Sequence, residues 1–82
     1  MNLVRIVSFF KVKLGSLKSV VEALKKVPEV VKIQTVSGEY DLLVEVDVNQ
    51  AEELFDFFTN KVDILEGLKD TNSHMILATW EK

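Results

Sequence analysis

Gly38-Glu39 lies between two apolar runs, Val30 to Ser37 and Tyr40 to Val48, and this pattern constrains the fold of the 82-residue chain more than any other. A glycine at the first central position of a two-residue loop suits a type II′ turn, which needs positive φ there and matches the twist of the strands it joins. Gly38-Glu39 is therefore expected to be the tip of an antiparallel hairpin. A two-residue loop sets Ser37 opposite Tyr40, Val36 opposite Asp41 and Lys32 opposite Glu45. The last pair joins opposite charges across the strands, as a stable ladder favours. The same register places Val31, Ile33, Leu42, Val44 and Val46 on one face. Val30, Lys32, Gln34, Val36, Asp41, Leu43, Glu45 and Asp47 fall on the other, so one face reads as core and one as mixed.

The flanks supply the rest of a sheet and two helices. Leu3 to Leu14 is β-branched and aromatic, with Val4, Ile6, Phe10, Val12 and Leu14 alternating with Leu3, Arg5, Val7, Phe9, Lys11 and Lys13. Gly15 ends that strand and Ser16 is placed to cap a helix through its hydroxyl. Leu17, Val20, Val21, Leu24 and Val27 recur at helical spacing over about three turns, until Pro28 stops them. Asn49 with Glu52 three residues on has the spacing of a capping box for a second helix. Its expected inner stripe is Ala51, Leu54, Phe55, Phe58 and Val62, with Phe57 at the edge. Gly67 breaks the helix, and Leu68 to Trp80 reads as a last strand, with Thr71, Ser73, Met75, Leu77 and Thr79 on one side and Asn72, His74, Ile76, Ala78 and Trp80 on the other.

The order β-α-β-β-α-β is the α+β, ferredoxin-like split βαβ sandwich, and residues 1–82 form one domain in this reading. Right-handed crossovers put both helices on one face of the sheet. The other face, with Leu3, Val7, Phe9, Leu43, Met75 and Leu77, would meet water in a monomer. That patch predicts a dimer closed sheet on sheet, of the dimeric α+β barrel type.

Composition removes several functional classes. With 48% hydrophobic and 28% charged residues the chain is of the soluble globular type. A net charge of −3 gives no footprint for nucleic acid. The absence of cysteine excludes disulfides and thiolate chemistry and points to a cytoplasmic location. The apolar N-terminal run from Met1 to Phe10 is interrupted by Arg5 and lacks a cleavage site, and no apolar run approaches the ~20 residues of a membrane span. His74 has Asp70 and Asp63 near it in sequence but lacks ligands at metal spacing and a nucleophile motif. No metal, cofactor or catalytic residue is expected.

Taken together, Gly15 before a helix, Leu24-x-x-Val27-Pro28-Glu29-Val30, Val36-x-Gly38-Glu39-Tyr40-Asp41-Leu42, the Gly67-Leu68 break and Thr71-x-Ser73 resemble the effector-binding, or RAM, domain of the Lrp/AsnC family. The resemblance covers nearly the whole chain. It implies a ferredoxin-like fold that dimerises through its sheet, dimers that build into rings, often octamers, and small effectors such as amino acids bound where dimers meet. No helix-turn-helix segment precedes the first strand in this sequence. The resemblance is therefore to stand-alone forms, which would act through full-length regulators of the family rather than by contacting DNA.

The resemblance also nominates a site. It implies that Gly38 lets backbone approach the ligand, Tyr40 walls the pocket, Asp41 pairs with an ammonium, and Thr71 and Ser73 donate hydroxyls to a carboxylate. Plainer readings stand beside each. Gly38 satisfies a turn, Asp41 is a solvated or backbone-bonded turn aspartate, Tyr40 is an interface aromatic, and Thr71 and Ser73 are ordinary strand residues. A small cofactor-independent enzyme is the alternative function, since dimeric ferredoxin-like folds host such chemistry. It would need proton-transfer groups in the helix-facing core, which here reads as aliphatic and aromatic.

Overall fold

The computed structural model describes residues 3–82; Met1 and Asn2 of the apolar N-terminal run lie outside the described residues. Strand β1 is Val4–Val12, helix α1 Leu17–Leu24, β2 Val30–Thr35, β3 Leu42–Val48, α2 Glu53–Phe57 and β4 Leu68–Met75. The four strands form one antiparallel sheet in the order β2-β3-β1-β4. Alternation along β1 and β3 turns Ile6, Ser8, Phe10, Leu42, Val44, Val46 and Val48 to one face, where Val20 and Leu24 of α1 and Phe57 and Val62 of the second helical segment close over them. The ferredoxin-like sandwich expected from the order of elements is the observed architecture.

Lys32 faces Glu45 as the hairpin register requires, and the Val36 N–H donates to the Asp41 carbonyl at 3.0 Å. The strands end short of the tip, however, at Thr35 and Leu42, so six residues rather than two connect them. Gly38 still adopts positive φ, at 110°. A bulge between Val30 and Lys32 makes a second correction. Val30 pairs with Val46 and packs on the core, and Val31, expected inside, is 53% exposed.

The helices depart more. Ser16 makes no side-chain cap; instead the Ser19 hydroxyl donates to the Ser16 carbonyl. The side chain that reaches back to the Asn49 N–H is that of Glu53, at 3.2 Å, rather than Glu52, and α2 starts only at Glu53, leaving Ala51 exposed. The helix then widens into a π-helical turn, Phe58–Val62, in which the Asp63 N–H reaches the Phe58 carbonyl at 2.7 Å. Phe57 is buried and Phe55 is 77% exposed, the reverse of the expected stripe. Lys61 anchors the π turn, with Nζ 2.7 and 2.9 Å from the two carboxylate oxygens of Glu29.

On β4 the pairing Ile6–Met75, Ser8–Ser73, Phe10–Thr71 assigns Met75 to the helix side, not the open face, because directly opposed residues share a side. The strand ends at Met75 rather than Trp80. Leu77 and Trp80 follow it at 89% and 88% exposure. The open face keeps Val7, Phe9 and Leu43 as expected, joined by Asn72 and His74 from β4.

Candidate functional site

Three backbone-directed hydrogen bonds build the loop between β2 and β3. Besides the Val36–Asp41 bond, the Asp41 N–H donates to the Phe10 carbonyl at 2.8 Å, and Asp41 Oδ2 accepts from the Val12 N–H at 2.9 Å. The carboxylate thus stands in for the ladder partner that β1 loses where β3 begins. Asp41 is backbone-bonded, as its plainer reading held, yet only through one oxygen; Oδ1 has no partner among the described residues. Around Gly38 the space is open, with nothing within 4 Å of where a Cβ would stand.

Tyr40 leaves the loop toward the open face, its ring tilted 43° against Phe9 at 5.8 Å. His74 meets the same Phe9 edge-on at 6.5 Å, completing an aromatic row across β1. His74 is in a packing contact there, and no cluster of three metal-binding side chains exists among the described residues. Thr71 and Ser73 project from the opposite face. Ser73 Oγ lies 2.6 Å from Ser8 Oγ, satisfying the one buried polar side chain among the described residues.

The five residues nominated by sequence therefore fall into two groups within one chain. Gly38, Tyr40 and Asp41 share the loop, while Thr71 and Ser73 lie on the far edge strand with β1 between. A cleft of about 190 Å³ adjoins Asp41, lined also by Val12, Lys13, Leu14, Gly15 and Leu17. Thr71 lines a separate one of about 250 Å³ with Asp63, Leu68, Lys69 and Asp70.

A third feature escaped the sequence reading. At the far end of the open face, Arg5 clamps Asp47 through Nε and Nη2 at 2.6 and 2.8 Å and reaches Glu45 at 3.2 Å, beside a cleft of about 690 Å³. The hydrogen bond from Arg5 holds the Asp47 carboxyl below its ordinary range, against a smaller opposing effect of burial. Lys61 does the same for Glu29. The β1–β3 register that opposes Arg5 to Asp47 is non-local, so hairpin reasoning had no signal for it.

A two-helix layer on an antiparallel sheet of order β2-β3-β1-β4, with an anchored glycine loop beside an open sheet face, defines a ferredoxin-like α+β module. The chain belongs to the Lrp/AsnC ligand binding domain family, whose model matches residues 6–82. It is 34% identical over 72 residues to the HTH-type transcriptional regulator FL11 of Pyrococcus furiosus, a match covering 88% of this chain and 47% of that protein. The chain spans about half the length of the curated relatives it matches. Among solved structures, that of FFRP-DM1 superposes with a TM-score of 0.86 at 28% identity, covering 90% of this chain and 99% of that one. The fold is shared as well by the transcriptional regulator NMB0573 from Neisseria meningitidis, solved as a complex with L-Met, with a TM-score of 0.89 at 16% identity over 96% of this chain and 53% of that one. No helix among the described residues is long and apolar enough to cross a membrane.

Proposed function

We propose that this chain is a sensing and assembly module that binds an amino acid or related small metabolite at the Val36–Asp41 loop and signals by changing its association with other subunits. The observation that carries the reading is the state of Asp41. One carboxylate oxygen is tied to β1, which fixes the group in place, and the other is left for a ligand ammonium. Gly38, at φ 110°, has open space around it, and Tyr40 packs against Phe9 on the open-face side of the loop. Thr71 and Ser73 enter from the edge strand of an adjoining subunit, so the complete cleft exists only in the assembly. A pocket made by association couples ligand to oligomer by linkage.

The module acts as a homodimer closed over the open sheet face, and as rings of dimers up to an octamer. Its further partners are full-length regulators of the same family. It works in the cytoplasm as a binding protein rather than an enzyme and contacts no DNA itself. The curated relatives, named as transcriptional regulators, and the L-Met complex of the Neisseria protein support this reading.

Thermal shift of the intact protein against the twenty amino acids tests it. The expected result is saturable stabilisation by at least one of them, lost in Asp41→Asn, which keeps an acceptor for the Val12 N–H but removes the charge. No shift with any amino acid would overturn the reading.

A further inference from the structure

We infer that His74 is a pH gate on the pairing of two copies of this chain through the open sheet face: the neutral imidazole permits the pairing and its protonation opposes it. The inference rests on the reading of that face as the homodimer interface and adds its regulation.

The ladder registers fix which charges the face carries. Directly opposed residues of an antiparallel pair share a side, so Arg5 lies with Asp47, Lys32 with Glu45 and Lys11 with Asp70. Each cation of the strands thus has an acid beside it. Arg5 binds Asp47 through two nitrogens and reaches Glu45 at 3.2 Å, and one oxygen of Asp70 accepts from the Thr71 N–H at 2.9 Å. The three positive and three negative groups sum to zero. That balance selects the occupant. A two-fold contact sets a surface against its own copy, and a surface with net charge would repel itself. A strongly charged partner gains nothing from a face already neutralised. Val7, Phe9 and Leu43 lie half-buried among the pairs, and Ile76 beside Arg5 is 40% exposed, so apolar area is present for the same contact.

The zero sum holds only while His74 is uncharged. His74 is exposed in the single chain and stands at the end of the row Lys32–Glu45–Val7–His74. Its ring meets Phe9 edge-on at 6.5 Å, and Tyr40 joins the same row through Phe9. The charged groups that β1 brings to this face, Arg5 and Lys11, are cations. Asp47 and Glu45 of β3 are engaged by Arg5, and Asp70 of β4 opposes Lys11. An imidazolium therefore has no free acid on its own copy, and the two-fold partner brings the same set. Protonation adds one unpaired positive charge per copy, two across the contact, to be desolvated together. Carboxylates ordinarily titrate near about pH 4 and ammonium and guanidinium groups above about pH 10. Imidazole changes charge between about pH 5 and 8. Of the described groups on the face, His74 alone switches in that range, so pairing is strong above it and weak below it.

Sedimentation of the intact protein over a dilution series at about pH 7.5 and about pH 5.5, at constant ionic strength, tests the gate. The dimer dissociation constant is expected to rise about tenfold or more at the lower pH while far-UV circular dichroism shows the fold unchanged. His74→Phe should pair equally well at both, and His74→Lys should pair weakly at both. A dissociation constant that ignores pH in the unmodified protein would overturn the gate and leave the dimer intact. The same pH dependence surviving in His74→Phe would overturn it by assigning the switch elsewhere. A monomer at both pH values would remove the gate and the dimer together.

Discussion

Gly38 and Asp41 show how far single residues were legible. The need for positive φ at Gly38 followed from the hairpin alone and is met at 110°. Because that conformation is one an L side chain rarely adopts, Gly38→Ala is expected to cost about 1–2 kcal/mol in denaturant unfolding despite the open space around it. Gly67 was readable only as a break. In the folded chain a Cβ there would stand 2.7 Å from the Ser16 Cβ, with φ at 93°. Gly67→Ala is therefore expected to destabilise more than Gly38→Ala in the same measurement; an equal or smaller loss would mean that Ser16 and α1 shift freely. Asp41 was open to two readings because its role depends on the Val12 N–H, a partner 29 residues away that no local pattern reveals.

At the scale of elements, order and type were legible because hydrophobic period and the Pro28 and Gly67 breaks are local, whereas three faces were misassigned for non-local reasons, that of Met75 on β4 by the register with β1. On β2, strict alternation placed Val31 inside, but the bulge before Lys32 substitutes Val30. On α2, Phe55 and Phe57 flank the Leu54–Phe58 stripe on opposite sides, so periodicity alone does not rank them. The sheet decides for Phe57, which packs edge-on against Phe58 with ring centroids 5.1 Å apart, and the π turn carries the same face on to Val62. Phe57→Ala is accordingly expected to cost about 3–5 kcal/mol, and Phe55→Ala within about 0.5 kcal/mol, in unfolding of the monomeric chain. Comparable losses at the two positions would contradict the assigned face.

Across the whole molecule, two clamped carboxylates set the acid limit of stability. Asp47 under Arg5 and Glu29 under Lys61 both have folded-state pKa values held below their ordinary range. Their contribution is fully present above the unfolded carboxylate range and is lost as pH falls through the lowered folded values. Unfolding stability is therefore expected to be flat near neutrality and to drop below about pH 4. Arg5→Met should remove the Asp47 share of that slope; an unchanged acid limb would deny the clamp. Leu3, Leu14, Phe55, Ile64, Leu77 and Trp80 are all more than half accessible. Effector binding at the Val36–Asp41 loop, the central claim, is tested most directly by mapping backbone amide shifts in an NMR titration with the amino acid that stabilises the protein most in the thermal-shift panel. The account predicts saturable perturbations centred on Val12, Gly38, Tyr40 and Asp41. Perturbations confined to the Arg5–Asp47 end of the sheet, or none at saturating ligand, would contradict it.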